Sequence, residues 1–363
     1  MNSSSTTPDT PTARPEDTRA WTQTLKGLGP LSYLPKDAPA SSEVLGTLGT
    51  ITALDSEKAI LAVGARAGRG LGIFAGIFFI FSSAFMAAMS IGLGLLKGDQ
   101  FGFLGMGTMA ILMMIFGSIF ISADLNRVAE TLVLLNRQTR QIVCADPTAR
   151  VKRVRDIRFR TWSWDDCDFA IERVIMSATA AQTFHLRAVR RNAQGEPEQT
   201  ALLAAMIPSI DHALALYEFL RRYMARDDAH LPECVRLVPA GRLTFFEACK
   251  QSFITYLIEV GEDGLPRWPR PLVALFYAVL AIGLVIAFPF VLGKVIAEWS
   301  SQEMRFPDGA VPTNGQPLPG VRIIPARQAV FAPWEKAYYL GCMATGLVAW
   351  TFWIRHVVQV FSA

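Results

Sequence analysis

The chain has 363 residues, of which 51% are hydrophobic and only 18% charged, and its mean hydropathy is +0.29. Soluble domains carry about 25% charged residues, so the shortfall fits membrane spans. A net charge of +4 is too small to point to nucleic acid, and no nucleic-acid module accompanies it.

The first twenty residues are polar and rich in Ser, Thr and Pro, with no apolar core of a signal peptide. That composition predicts a disordered tail over 1–45, followed by a juxtamembrane segment over 46–70. Two uncharged apolar runs come next, Leu71–Leu96 and Phe101–Ala123, joined by Lys97-Gly98-Asp99-Gln100. Each meets the 17–25 residues or so that a bilayer helix needs, so 71–123 reads as a transmembrane hairpin. Gly72 and Gly76 stand four apart, as do Ala84, Ala88 and Gly92. Small residues at that spacing let helices approach closely. They suit either packing of the two helices on each other or a face for a second copy, giving a homo-oligomer, or for another partner.

Residues 124–240 supply enough chain for one compact domain. Thr131–Leu135 and Gln141–Cys144 read as a hairpin, and period-two patterns continue through Ile157–Trp164, Phe169–Met176, Thr183–Arg190 and Thr200–Ile207. The period then changes. Ile210, Leu214, Tyr217, Leu220 and Met224 recur at helical spacing after Ser209, a helix-start signal. Strands closed by one helix predict an α+β unit, with a small pleckstrin-homology-like barrel as one form. A basic run holds Lys152, Arg153, Arg155, Arg158 and Arg160. It is a candidate lipid-facing patch, or a strand edge kept basic against mispairing.

An amphipathic stretch over 241–270 leads to a third apolar run, Pro271–Gly293, in which Pro289 predicts a kink. A loop over 294–336, with prolines at 307, 312, 317, 319, 325 and 333, precedes a fourth span over 337–357. So many prolines predict an extended, exposed loop on the far side of the membrane. The expected fold is thus a polytopic α-helical membrane protein of four spans, two plus two, with an α+β insert. Arg66, Arg69, Arg127, Arg267, Arg270 and Arg355 flank one side. The positive-inside rule then puts both termini and the insert in the cytoplasm and the 294–336 loop in the periplasm.

Chemistry is hard to find in this sequence. There is no HExxH, P-loop or GxSxG, and His185, His212, His230 and His356 are scattered. The five cysteines are odd in number and match no metal spacing, so reduced thiols are expected. Asp165, Asp166 and Asp168 cluster after Trp164, which reads as a polar turn or a cation site. No nucleophile, base and oxyanion site assembles, so the expectation is a non-enzyme with neither cofactor nor metal.

Three segments carry a resemblance: Leu135-Asn136-Arg137-Gln138-Thr139-Arg140, Trp162-Ser163-Trp164-Asp165, and Tyr217-Glu218-Phe219-Leu220-Arg221-Arg222-Tyr223-Met224. Together they resemble an uncharacterised family of proteobacterial multi-pass membrane proteins. That family pairs an "FNR"-type hairpin with a "W-D" strand end and a "WExIRxYM"-type helix, over roughly residues 60–260 here. The chain departs from it at Leu135, where Phe is common, and at Tyr217, where Trp is common. The resemblance implies that Asn136, Arg137, Trp164, Asp165, Tyr217, Arg221, Tyr223 and Met224 are fold determinants. Such proteins are often encoded beside type VI secretion effectors, so it also implies an inner-membrane immunity protein, resident in the lipid bilayer, that binds a cognate membrane-active effector directly through its spans or its Pro-rich loop. The alternative is a membrane-anchored sensor or assembly factor whose domain binds anionic lipid or a protein.

Overall fold

The structure is a computed structural model, and it describes residues 28–44, 50–64, 70–98, 100–125, 128, 130–145, 157–176, 181–238, 241–253, 269–306, 316–324 and 333–362. Three short strands come first: β1 (Leu31–Leu34), β2 (Ile51–Leu54) and β3 (Lys58–Ala62). Two long helices follow, α1 (Leu71–Lys97) and α2 (Gln100–Asp124). Then come β4 (Leu132–Asn136), β5 (Gln141–Ala145), β6 (Phe159–Ser163), β7 (Cys167–Met176), β8 (Ala181–Arg191), β9 (Pro197–Ile207) and α3 (Ile210–Ala225). The remainder is β10 (Cys234–Arg236), α4 (Phe245–Phe253), α5 (Arg270–Ile286), α6 (Phe288–Trp299), β11 (Arg322–Ile324) and α7 (Pro333–Ser362).

Two antiparallel sheets, ordered β2-β3-β4-β5-β6 and β1-β7-β8-β9, form the α+β domain. One core unites them with α3, drawing Leu61, Leu135, Ile142 and Trp162 from the first sheet and Phe169, Ile171, Leu186 and Leu203 from the second. The helix contributes Leu214, Tyr217, Leu220 and Met224, the stripe that its spacing predicts. Its first turn is capped by Ser209, whose Oγ accepts from the His212 N–H at 3.2 Å. Such a cap is worth about 1 kcal/mol. A pleckstrin-homology-like barrel is not established by this arrangement of two separate sheets.

Three expectations about organisation are corrected. First, the stretch read as tail and juxtamembrane linker contributes β1, β2 and β3, and Leu31, Ile51 and Leu61 are fully buried. Residues 1–27 lie outside the described residues. Four-residue strands leave little local signal, and their partners lie far along the chain, as in Leu34 against Phe169.

Second, the third apolar run is not one helix. It breaks at Ala287 into α5 and α6, bent by 80°, while Leu71–Gly92, Gln100–Asp124 and Pro333–His356 are each long and apolar enough to cross a membrane. Pro289 causes the break, because it has no N–H to give the Val285 carbonyl. That carbonyl and its neighbour on Ile286 instead accept from the indole Nε1 of Trp350, at 3.1 and 3.2 Å.

Third, the 294–336 stretch does not stand apart from the domain. Met304 and Phe306 are buried with Ile60, Ala62, Leu132 and Leu134 on the outer face of the five-stranded sheet. β11 pairs in parallel with β10, and Leu318 and Val321 join the main core. Prolines bar a central strand but permit a short edge strand between them, which is what β11 is. A domain and a loop that share one core cannot lie on opposite faces of a membrane. Residues 307–315 and 325–332 of that loop lie outside the described residues.

The path through α5 and α6 agrees with this. α5 begins beside the start of α7, where the Tyr277 hydroxyl donates to Glu335 at 3.4 Å and Tyr338 donates to the Tyr277 carbonyl. α6 ends on the domain side, where Glu298 accepts from the Leu243 N–H at 3.2 Å and Gln302 bridges to Val128. Both outer ends of the bent pair are therefore held near the domain and the start of α7, which suits a re-entrant loop as well as a broken span. α4, opened by a Thr244–Glu247 capping box, packs on the α5–α7 group through Cys249, Phe245 and Phe246.

Candidate functional site

The three motif segments, far apart in sequence, meet at one end of the domain. The β4–β5 turn is held by Asn136, whose Oδ1 accepts from the Gln138 and Thr139 N–H groups at 3.0 Å each. Arg140 closes that turn in the left-handed region at φ 50°. Its guanidinium is bidentate on Asp165, at 2.8 and 2.6 Å, and donates to the Met224 carbonyl at 2.8 Å. One side chain thereby ties hairpin, strand end and helix together. The Arg140 hydrogen bonds hold the Asp165 carboxyl below its usual range.

Arg137, buried to 3% exposure, donates to Asp228 at 2.6 Å and lies 5.1 Å over the Tyr223 ring. The Tyr223 hydroxyl in turn donates to the Asp55 carbonyl at 3.0 Å. Trp164 packs on Phe169 at 4.3 Å between centroids, and Phe169 packs on Tyr217 at 5.3 Å. Burial pushes the Tyr217 and Tyr223 hydroxyls well above their usual range. Arg221 belongs to a neighbouring cluster: it and Arg222 donate to Glu218, which is fully buried and also accepts from the Ala40 N–H. All eight motif residues are thus bound into the fold. Asp165 pairs with Arg140, and Asp168 pairs with Arg191 and Lys36. Among the described residues no three His, Cys, Asp or Glu side chains gather as a metal site.

The small residues of α1 divide into two sets. A Cβ on Gly76 would come within 2.6 Å of the Gly117 carbonyl, and one on Gly72 within 2.9 Å of the Phe120 carbonyl. These positions close the seam between α1 and α2. Ser83 and Ser90 extend it, donating to the Ala110 and Phe103 carbonyls at 2.7 and 2.6 Å. Ala84 and Ala88 are exposed, and a Cβ on Gly92 would meet nothing. They face away from the seam.

Buried charges sit at the base of the hairpin. The Asp124 Oδ2 accepts from the N–H groups of Gly70, Gly72 and Ile73 at 2.9, 3.0 and 3.2 Å, which caps α1 from the end of α2. A negative group suits the positive end of the helix dipole. Lys294 and Glu298 are also buried there, at 2% and 1% exposed. The signal that could have found this junction is the Gly-rich start of α1 opposite a terminal carboxylate. Of the basic run, Arg158 is exposed at the start of β6, and Arg160 donates to Gln199 at 2.8 Å. Lys152, Arg153 and Arg155 lie outside the described residues.

Comparison with protein-family models, curated proteins and solved structures finds no match to the chain.

Proposed function

We propose that this chain is an inner-membrane immunity protein that neutralises a membrane-active type VI effector by binding it within the bilayer. The observation that carries this reading is the uncovered state of the α1–α2 hairpin. It is closed on itself at Gly76 and Gly117 and meets α6 at its base, where Phe74 packs edge-on against Phe290. Beyond that base, Phe78, Phe81, Ile91, Leu104, Ile111 and Phe116 are exposed. Apolar surface of this extent marks lipid contact or a partner, and the exposed Ala84 and Ala88 permit close approach of another helix. The resemblance carried by the three motif segments supplies the class of partner.

We further propose that the domain lies in the cytoplasm. In sequence, Arg66, Arg69, Arg127, Arg267, Arg270 and Lys336 adjoin the helix ends nearest the domain, against Lys97 and Arg355 at the other; Arg355 and the C-terminus thus pass to the side opposite the one expected from the sequence. That imbalance favours the domain side as cytoplasmic. With Met304, Phe306, Leu318 and Val321 buried against the domain, the apolar helices are the better candidates for the effector contact than the 294–336 loop.

The test is a contact competition between the parent strain and a mutant lacking this gene, with type VI secretion active or disabled in the attacker. Killing of the mutant by the secretion-active parent alone is the expected outcome. Equal survival with the effector expressed would overturn immunity and leave a membrane-anchored sensor or assembly factor, a reading that the exposed Arg158 favours.

A further inference from the structure

The domain has one edge that must face the membrane its helices enter. Val63 and Gly64 follow β3 directly, six residues before Gly70 and the start of α1. The Val63 carbonyl accepts from the Ala205 N–H at 2.8 Å, and the Gly64 N–H donates to Glu130, just after α2, at 2.9 Å. The strand registers extend this edge across both sheets. In the five-stranded sheet Ala62 pairs with Leu132, the next position along sets Val133 against Cys144, and Ala145 pairs with Phe159. In the four-stranded sheet Arg173 pairs with Phe184, Phe184 with Ile207, and Ile175 with Gln182 beyond them. The motif network around Arg137 and Arg140 lies at the opposite ends of the same strands.

Ile175 and Met206 are 65% and 40% exposed, and among the described residues they are the large hydrophobic side chains that the two sheets leave exposed. Both lie on the edge just traced. Arg158, one residue before β6, is exposed on it too. Two apolar side chains and a cation exposed at the same strand ends match a headgroup layer, where apolar groups sink and Arg meets phosphate.

We infer that the edge bearing Arg158, Ile175 and Met206 rests on the headgroup layer of the bilayer that α1 and α2 enter, and takes anionic lipid there. The inference rests on α1 and α2 lying in a bilayer and is independent of the immunity reading. Ile175 and Met206 immerse their side chains, and Arg158 pairs with lipid phosphate. The domain is thereby held flat against the membrane at the same end that anchors it covalently.

The full chain in nanodiscs tests this with a nitroxide at Ile175→Cys or Met206→Cys, a control at Gln138→Cys in the β4–β5 turn, and another at Phe81→Cys on α1. Accessibility is read as collision with oxygen against a water-soluble nickel chelate. The expected result is an oxygen preference at 175, 206 and 81 and a nickel preference at 138. Oxygen preference at 81 with nickel preference at 175 and 206 would overturn the docking inference alone. Nickel preference at 81 would overturn the bilayer reading beneath it. Nanodiscs of phosphatidylcholine alone, or Arg158→Glu in phosphatidylglycerol, are expected to shift 175 and 206 toward nickel. An unchanged oxygen preference in both would overturn the anionic-lipid part.

Discussion

The Trp350 indole N–H donates to the Val285 carbonyl at 3.1 Å, and Pro289 denies that carbonyl its helical donor, leaving it otherwise with the Ala287 N–H two residues on. A carbonyl short of its helical partner in an apolar environment is costly, so α7 stabilises the 80° break between α5 and α6. Trp350→Phe removes the donor and is expected to destabilise the purified protein by about 1–2 kcal/mol. Pro289→Ala restores an N–H four residues after Val285. The Trp350 substitution should therefore cost less in that background, and thermal unfolding of the double-mutant cycle measures the coupling. Strict additivity would show that the indole does not serve the broken turn.

The burial of Met304, Phe306, Leu318 and Val321 with the domain predicts a topology that labelling can read. α7 starts at the domain end, where Lys336 lies over the Phe246 ring, and runs for 30 residues. That is about 45 Å of helix against a hydrocarbon core of about 30 Å. Single cysteines at Gln138, Pro317 and Gln359 are expected to react with a membrane-impermeant maleimide from two sides. Those at 138 and 317 label together once the cytoplasmic face is opened, and 359 labels in intact cells. Labelling of 317 with 359, and not with 138, would restore the far-side loop and contradict the shared core.

Arg137 and Arg140 stand three residues apart in one turn and should differ in weight. Arg137 is buried, and its loss leaves Asp228 and the Tyr223 ring without their cation. Because Asp228 keeps 29% exposure, Arg137→Ala is expected to cost about 2–3 kcal/mol, below the 3–5 of a fully buried pair. The Arg140–Asp165 pair is 42% and 58% exposed, so Arg140→Ala is expected to cost about 1 kcal/mol. Chemical denaturation of both variants checks the order, and a larger loss at Arg140 would reverse the account.

What the sequence makes legible follows from how local each signal is. The six strands after α2 and the helix over Ile210–Ala225 show their periods within a few residues. β1 shows nothing comparable: its four residues gain meaning only against β7. The prolines between 307 and 333 exclude interior strands, yet they say nothing of Met304 and Phe306, which bury on the sheet through contacts far away in sequence. Pro289 announces a kink, but the position of α6 depends on Trp350, which no local pattern connects to it. The motif residues are legible as a set through the resemblance. Arg140, which joins the three segments, looks in sequence like any other turn arginine.

Two buried carboxylates make stability depend on acid pH. Burial pushes the Glu172 carboxyl up, but hydrogen bonds from His185, the Gly29 N–H and Arg187 outweigh it and hold the group at about 2. Burial likewise opposes, and Arg221, Arg222 and the Ala40 N–H outweigh it, at Glu218, also held at about 2. In the unfolded chain both would titrate near 4.5. Since the folded values are depressed, the unfolded chain binds more protons between these limits. The stabilisation is complete above pH 4.5 and is lost as pH falls toward about 2. Glu218→Gln is expected to lower stability at neutral pH and to flatten the acid slope, as melting temperatures between pH 7 and 3 would show. An unchanged slope would remove Glu218 from the account.

Contrasting faces of α1 separate fold from function. Gly76→Leu drives a side chain into the Gly117 carbonyl and the Ile121 side chain. Overpacking of this kind typically costs about 1–3 kcal/mol, so the α1–α2 hairpin should lose stability and the protein its abundance in membranes. Ala84→Leu and Ala88→Leu point outward and should leave thermal stability and membrane abundance as they are. If a partner helix docks on that face, both substitutions should still abolish protection in the competition assay. Full protection by Ala84→Leu and Ala88→Leu together would leave this face to lipid alone and move the search for an effector contact to α2 and α7. Loss of protection at normal abundance would instead locate the contact on a face of α1 that the protein's own packing does not use.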